Sequence, residues 1–393
     1  MYNKTGPINR KYHPSGNGSD KNNKSRMDVH KFISQQTMTQ PPEPYEQMHG
    51  FDDFDIHDAL KKRISGSRYL IPTEIQDKTI PQILSGKDLI GIAGTGTGKT
   101  AAFLIPVIQR LIENPERDLA LVIAPTRELV SQTLEEFRKL TGGLNLFAAA
   151  LIGGVDVGRS IKDLRRTNHL IVATPGRLID MADRGYVFLD RFKILVLDEF
   201  DRMLDMGFLP DVKRIHSKMR NEKQTLLFSA TMNESQKTIV DSMTHFPVKV
   251  TAGSGNQPIH AIEQDVLNVG KDRTKSEVLY DLISQYKHRK VLLFCETKRK
   301  VIKVNKKLQQ DNIHSDMIHG DKTQRSREIA LKKFRNGQIQ VLVATNVVAR
   351  GIDIDDVSLV INYEAPRDYI DYVHRIGRTG RAGKTGKAIT LID

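Results

Sequence analysis

Three groups of residues have the types and spacing for phosphate chemistry. The first is Ala93-Gly94-Thr95-Gly96-Thr97-Gly98-Lys99-Thr100. Gly94, Gly96 and Gly98 let the backbone curl so that several N–H groups, those of Thr95 and Thr97 among them, converge on an anion. Lys99 adds a full positive charge, and Thr100 offers a hydroxyl to Mg²⁺. Ala93 stands where the usual phosphate-binding pattern has its first glycine, but the Gly-Lys-Thr core is intact. The second group is Asp198-Glu199-Phe200-Asp201. Asp198 is placed to hold Mg²⁺ through water, while Glu199 orients and deprotonates an attacking water. The third is Arg375 and Arg378, three residues apart, whose guanidinium groups suit charge building on a γ-phosphate. Arginines used in this way contribute ~10³ or more in rate, and only when a second domain closes on the first.

These groups need elements to hold them. The glycine-rich stretch lies between an apolar run, Leu89 to Ile92, and a helix-like segment, Ala101 to Leu111, which predicts strand, loop, helix. From Gly50 onward short β-branched or Leu-rich runs alternate with helical stretches such as Glu128 to Leu140. The runs are Leu119–Ala124, Leu146–Ile152, Leu170–Ala173, Ile194–Leu197 and Thr225–Phe228. Such alternation predicts an α/β fold built on a mostly parallel sheet covered on both faces. A second series follows the polar stretch Gly253 to Pro258: Val291–Phe294, Val341–Ala344, Leu359–Ile361 and Ala388–Leu391, with helices near Val301–Gln310 and Arg325–Phe334. Two α/β domains are therefore expected, at 50–252 and 260–393, joined by a linker at 253–259. The second series has no phosphate loop, so one nucleotide site in the cleft between the domains is expected.

Composition narrows the class. The chain has 393 residues, 39% of them hydrophobic, enough for two cores and a tail. No apolar run approaches the ~18 residues of a membrane span, and no signal-peptide pattern opens the chain. A soluble, cytoplasmic protein with no membrane association is expected. The single cysteine, Cys295, excludes an internal disulfide or a cysteine metal cage, and its apolar neighbours place it in the core. A formal charge of +13 and a pI near 9.6 favour an anionic partner. Residues 1–49 are rich in Asn, Lys, Ser, Gly, Gln and Pro, without sustained periodicity, and read as a disordered, mildly basic tail. Its role is either extra nucleic-acid affinity or solubility alone.

The run Asp198 to Phe208, read with the glycine-rich loop, resembles the signature of the DEAD-box RNA helicases, and that family's motifs recur in order over residues 51–392. Phe51 and the run Tyr69 to Gln76 resemble the Q motif, which implies that Gln76 reads the adenine edge while Phe51 stacks on the ring. Arg68 replaces a glycine frequent there. Pro125-Thr126-Arg127-Glu128-Leu129, Gly153-Gly154 and Thr174-Pro175-Gly176-Arg177 match the family's motifs Ia, GG and Ib, which implies single-stranded RNA crossing the first domain. Taken alone, each is a common strand-to-helix turn. Ser229-Ala230-Thr231 resembles motif III, linking the acidic motif through Asp201 to the closed state. Gln324 and Arg327 of motif IVa and Thr345 of motif V are implied to face RNA, and Asp353 to meet the ATP ribose. His374 to Arg381 matches motif VI, with His374 a coupling residue. Phe200 and Asn346 depart from the family's alanine and aspartate.

The resemblance implies two tandem RecA-like domains that use ATP and Mg²⁺ to bind RNA with little regard for sequence and to unwind short duplexes, as a monomer of bacterial, minimal-core type. The family's further helix after the last strand is not reached before Asp393. The rival reading is an ATP-gated RNA clamp or assembly scaffold with little turnover, against which stands the joint presence of Lys99, Glu199, Arg375 and Arg378. A DNA helicase is a second rival, disfavoured by the Q motif and the acidic signature.

Overall fold

Continuous apolar runs without polar alternation require strands buried on both faces, and this is what they form. The computed structural model describes residues 45–67, 69–94, 96–220, 222–253, 262–286, 289–346, 357–366, 369–380 and 386–393. The N-terminal half begins with helices α1 (Asp58–Ser65) and α2 (Glu74–Leu84). It continues through β1 (Leu89–Ala93), α3 (Lys99–Glu113), β2 (Leu119–Ile123), α4 (Arg127–Leu140), β3 (Ala148–Leu151), α5 (Val157–Leu164), β4 (Leu170–Ala173) and α6 (Pro175–Asp183). It closes with β5 (Phe192–Leu197), α7 (Phe200–Asp205), α8 (Leu209–Lys218), β6 (Gln224–Ser229), α9 (Glu234–Asp241) and β7 (Val248–Ala252). These strands form one sheet in the order β3-β4-β2-β5-β6-β1-β7, each pair parallel.

The C-terminal half repeats the plan. Its elements are β8 (Ile262–Asn268), α10 (Lys275–Gln285), β9 (Val291–Cys295), α11 (Lys298–Gln310), β10 (Ser315–Ile318), α12 (Gln324–Arg335), β11 (Val341–Thr345), β12 (Leu359–Asn362), α13 (Tyr369–Ile376) and β13 (Gly386–Ile392). A second parallel sheet runs β10-β11-β9-β12-β13-β8. Each sheet packs an apolar cluster on either face, and Cys295 is fully buried in one of them.

The strands that sequence periodicity does not reveal, β7, β8 and β10, all lie at or beside sheet edges. There one side of the strand is wet, so polar residues are tolerated and the apolar signal weakens. In β8, Glu263 and Asp265 both pair with Lys387 of β13 at 2.6 and 2.7 Å. The tail expected over 1–49 is bound to the fold over its last residues. Tyr45 Oη and the Met48 N–H each donate to Asp77 Oδ2 at 2.7 Å, and His49 Nδ1 lies 2.6 Å from Asp77 Oδ1. The rest of that tail, and 254–259 of the linker, lie outside the described residues.

Phe200 also finds its place. It is 1% exposed and packs in the cluster of Met203, Val212, Ile215 and Leu227 on one face of the first sheet. The apolar space behind the acidic loop accommodates the ring, which the sequence alone did not explain.

Candidate active site

In parallel sheets the loops at the carboxyl ends of the strands form the binding edge. In the first sheet those loops begin after Ala93, Ile123, Leu151, Ala173, Leu197 and Ser229. They carry every group of interest predicted in this half except Phe51 and Gln76. The order β5-β6-β1 sets the phosphate loop, the Ser229 turn and the paired acids side by side.

The phosphate loop curls as predicted. Gly96 and Gly98 have φ of 80° and 94°, in the left-handed region that glycine adopts without strain. A side chain at Gly98 would collide with the Gln76 amide. Lys99 opens α3, is 8% exposed, and donates from Nζ to the Ala93 carbonyl at 2.8 Å. Ala93 is itself core, and the Thr97 hydroxyl donates to Gly94 O at 2.9 Å. Thr100 follows Lys99 on the first turn and is half-buried. Thr95 lies outside the described residues.

Gln76 ties the loop to α2. Its Nε2 donates to Gly98 O at 3.1 Å, and its Oε1 accepts the Thr73 N–H at 3.0 Å. Phe51 belongs to the core cluster of the first half. It is 7% exposed and packs edge-on against Phe54 and Tyr69, so the ring serves the core and presents little face to a ligand.

The paired acids follow β5. The Asp198 N–H donates to Ile123 O, and its Oδ1 accepts the Glu199 N–H at 3.0 Å. Burial, together with the charges of Glu199 and Asp201, raises its pKa to about 7, although Lys99 pulls the other way. Glu199 sits at φ 51°, a left-handed conformation that turns its carboxylate out of the chain's path. Burial opposes its ionisation too, yet Arg202, Arg378 and Lys99 outweigh that and bring the pKa down to about 2. Arg202 Nη1 holds Glu199 Oε2 at 2.8 Å. Sequence reasoning assigned Arg202 no role, though its i,i+3 spacing from Glu199 was a legible signal.

Asp201 ties acids to turn. Its Oδ2 accepts the N–H groups of Ala230 and Thr231 and the Thr231 hydroxyl, at 3.2, 2.9 and 3.0 Å. Its own N–H donates to Ser229 Oγ, which donates on to Thr231 O at 2.6 Å.

On the flank, Thr126 caps α4, and Thr174 precedes Pro175 at the start of α6. Both threonines and Pro125 are buried. Arg127 lies over Gly153 and Gly154, Gly154 having φ 73°, and any side chain at 154 would strike the guanidinium. Arg177 donates to Val155 O at 2.8 Å and Ser160 Oγ at 3.0 Å, holding the turn that follows the glycine pair. Gly176 is exposed, with open space above it.

The second sheet brings its loops to the same cleft. Arg378, 3% exposed, donates from Nε to His374 O at 3.3 Å, and its charge reaches Glu199 of the other half. Arg375 donates to Asn362 Oδ1 and Glu364 O at 3.1 and 3.2 Å and lies over the Phe294 ring. His374 is buried beside them. Gln324 opens α12 and donates to Glu328 at 3.1 Å. Arg327 meets Glu128 at 2.5 Å, with both side chains at least nine-tenths buried. Sequence reasoning placed Glu128 in motif Ia but gave it no role of its own, because its partner lies in the other half of the chain. Thr345 ends β11 in register with Cys295, and the adjacent Asn346 donates to Asp371 at 3.1 Å. Asp353 and the Arg350-Gly351 turn lie outside the described residues.

The Asp198 carboxylate and the Thr100 hydroxyl offer oxygen donors, suited to a hard cation that keeps several waters and one or two protein ligands. Among the described residues no cluster of three or more His, Cys, Asp or Glu forms an all-protein metal cage. No helix among them is long and apolar enough to cross a membrane.

The comparisons agree with this arrangement. The DEAD/DEAH box helicase model matches residues 73–239, and the helicase conserved C-terminal domain model matches 274–383. The ATP-dependent RNA helicase CshA of Listeria monocytogenes is 42% identical over 318 residues, which are 81% of this chain and 61% of that protein. The ATP-dependent RNA helicase RhlB of Pseudomonas putida is 43% identical over 337 residues, 83% of this chain and 84% of that one. Among solved structures, Saccharomyces cerevisiae Dbp5 bound to RNA and ADP BeF3 matches with a TM-score of 0.80 and 31% identity, over 88% of this chain and 90% of that one. With both halves matched in order, and with a relative this similar over most of its length, the chain belongs to the family of DEAD-box ATP-dependent RNA helicases.

Proposed function

We propose that this chain is an RNA-dependent ATPase that holds single-stranded RNA across two domains, 50–252 and 260–393, and locally separates short duplexes. The observation that carries this reading is the buried ion pair of Arg327 with Glu128 across the cleft, with the Arg378 charge helping to keep Glu199 ionised. The groups suited to hydrolysis are divided between the halves, so they assemble only when the halves close. The likeness to Dbp5, whose structure holds RNA and ADP BeF3, supports such a closed arrangement.

The phosphates of ATP lie in the loop 94–100, drawing Lys99 from the Ala93 carbonyl, and the Gln76 amide reads the adenine edge. Asp198 and Thr100 hold Mg²⁺, which when bound offsets the phosphate charge. Neutralisation of a carboxyl whose pKa burial, with the charges of Glu199 and Asp201, raises to about 7 fits that role. Glu199, ionised but weakly basic, acts chiefly by orienting the attacking water through an accepted hydrogen bond. Arg378 stabilises charge on the γ-phosphate. Arg375, already bound to Asn362 and Glu364, braces the loop that carries it.

RNA lies along Arg127, Gly153, Gly154, Gly176 and Arg177 on one side and Gln324, Arg327 and Thr345 on the other. Contacts to sugar and phosphate carry no base code, and 2′-hydroxyl contacts separate RNA from DNA. Hydrolysis and phosphate loss reopen the cleft and release the strand. A single buried cysteine suits a cytoplasmic setting, and each chain carries both halves of the site, so a monomer suffices.

The test is steady-state ATP hydrolysis with Mg²⁺, with and without single-stranded RNA, for the parent and Glu199→Gln. RNA should stimulate the parent, and the variant should lose ~10²–10⁴-fold in rate while still binding RNA with nucleotide. Absence of stimulated hydrolysis in the parent, despite ATP-dependent RNA binding, would leave the clamp.

A further inference from the structure

At the end of the first sheet opposite the nucleotide loops, a cleft of about 690 Å³ opens beside the amino ends of β2, β4 and β5. Tyr186 and Phe188 line it, 44% and 59% exposed, and Phe147, 56% exposed and stacked on His169, stands beside it. Among the described residues, three of the five aromatics in the exposed large hydrophobic set thus gather at one place. Arg165, Arg166 and Arg191 are exposed around the same cleft, with no ion partner among the described residues, and Glu116 is its only acid.

This cleft does not stand alone. A groove of about 670 Å³ shares Arg166, Thr167 and Asn168 with it and runs beside edge strand β3. It ends at Val155, Arg159 and Ser160, on the turn that Arg177 holds after the glycine pair. The path from Phe147 to Ile152, along and just past β3, is five residue steps, roughly 17 Å at ~3.3 Å each. A few nucleotides span that distance. Arg138, Arg159 and Arg166 outnumber Asp163 and Glu328 along it.

We propose that groove and cleft form an auxiliary site for single-stranded RNA leaving the core site. Bases stack on Phe147, Tyr186 and Phe188, and phosphates meet the arginines, a combination that binds single strands without reading sequence. This rests on the RNA reading above. It adds that the chain grips RNA well beyond the loops at the strand ends, so a longer strand is tethered while the core site opens and closes.

The test compares a six-nucleotide with a twenty-nucleotide oligouridylate, bound with Mg²⁺ and a non-hydrolysable ATP analogue. The full chain and its Arg166→Ala/Phe188→Ala/Arg191→Ala variant are used. The variant should lose about tenfold in affinity for the longer strand, with binding of the hexamer and its stimulation of hydrolysis unchanged, which also reports an intact fold. In the parent, 5-iodouridine in the longer strand should cross-link to Phe147, Tyr186 or Phe188. Parent-like binding of the longer strand by the variant, or cross-links confined to the loops at the strand carboxyl ends, would overturn the proposal and leave the aromatics to a protein partner. Failure of the parent to bind even the hexamer would instead overturn the RNA reading, and this inference with it.

Discussion

Asp201 shows how much one buried carboxylate organises. Three donors from the Ser229–Thr231 turn converge on its Oδ2, and its Oδ1 accepts the Arg202 N–H. Asp201→Ala would leave the Ala230 and Thr231 N–H groups without that acceptor, a loss of about 1–3 kcal/mol, read as a lower urea midpoint. His169 is a second such residue. Its Nδ1 accepts the Phe147 N–H at 3.0 Å, and burial lowers its pKa from the ordinary 6.5. The unfolded chain therefore takes up this proton at a higher pH than the folded one. The contribution is complete above pH 6.5 and is lost as pH falls through the lower folded value. Between about pH 7.5 and 5.5 the thermal midpoint of the parent should fall further than that of His169→Asn, whose amide oxygen can keep the acceptor without titrating.

Among the elements, the turn after β3 owes its shape to what crosses it. Gly154 takes φ 73° with the Arg127 guanidinium lying where a Cβ would be. Gly154→Ala should therefore displace Arg127 and strain the turn. RNA affinity should fall about tenfold, a loss on the scale of one charged hydrogen bond, while nucleotide binding, measured with a fluorescent ATP analogue, stays at the parent level. Helix starts follow the same economy. Thr126, Asp156, Thr297 and Thr323 each accept an N–H from the first turn of the helix that follows. The strand-to-helix turns that face the cleft are thereby rigid before any ligand arrives.

For the molecule as a whole, the contact that matters is between halves. Glu128 and Arg327 form a buried ion pair between α4 of the first half and α12 of the second. Removing one member of such a pair strands the other charge, at a cost of about 3–5 kcal/mol to the state that contains it. Arg327→Glu should thus suppress closure and lower RNA-stimulated hydrolysis by ~100-fold or more. Adding Glu128→Arg should restore part of it, seen both in the rate and in energy transfer between dyes on the two halves. A failure of the exchange to recover either signal would mean that the pair does not hold the closed state.

Sequence alone determined what depends on near neighbours and on residue type. Six glycine, hydroxyl, acidic and arginine motifs, each following an apolar run, sufficed to place the loops of the first sheet, because a parallel strand buried on both faces must be apolar throughout and must end in a loop. The Gly-Lys-Thr turn and the acid pair were legible for that reason, and the Arg375 and Arg378 pair from residue type and its three-residue spacing. Edge strands β7, β8 and β10 were not, since half-wet strands carry mixed residues. Only tertiary structure decided which side chains meet across distance. It committed Phe51 to the core, found room for Phe200, joined Glu128 to Arg327, and set the Glu199 and Asp198 pKa values apart at about 2 and about 7. Those outcomes depend on burial and on charges brought from separate elements, and neither is a property of any local stretch of chain.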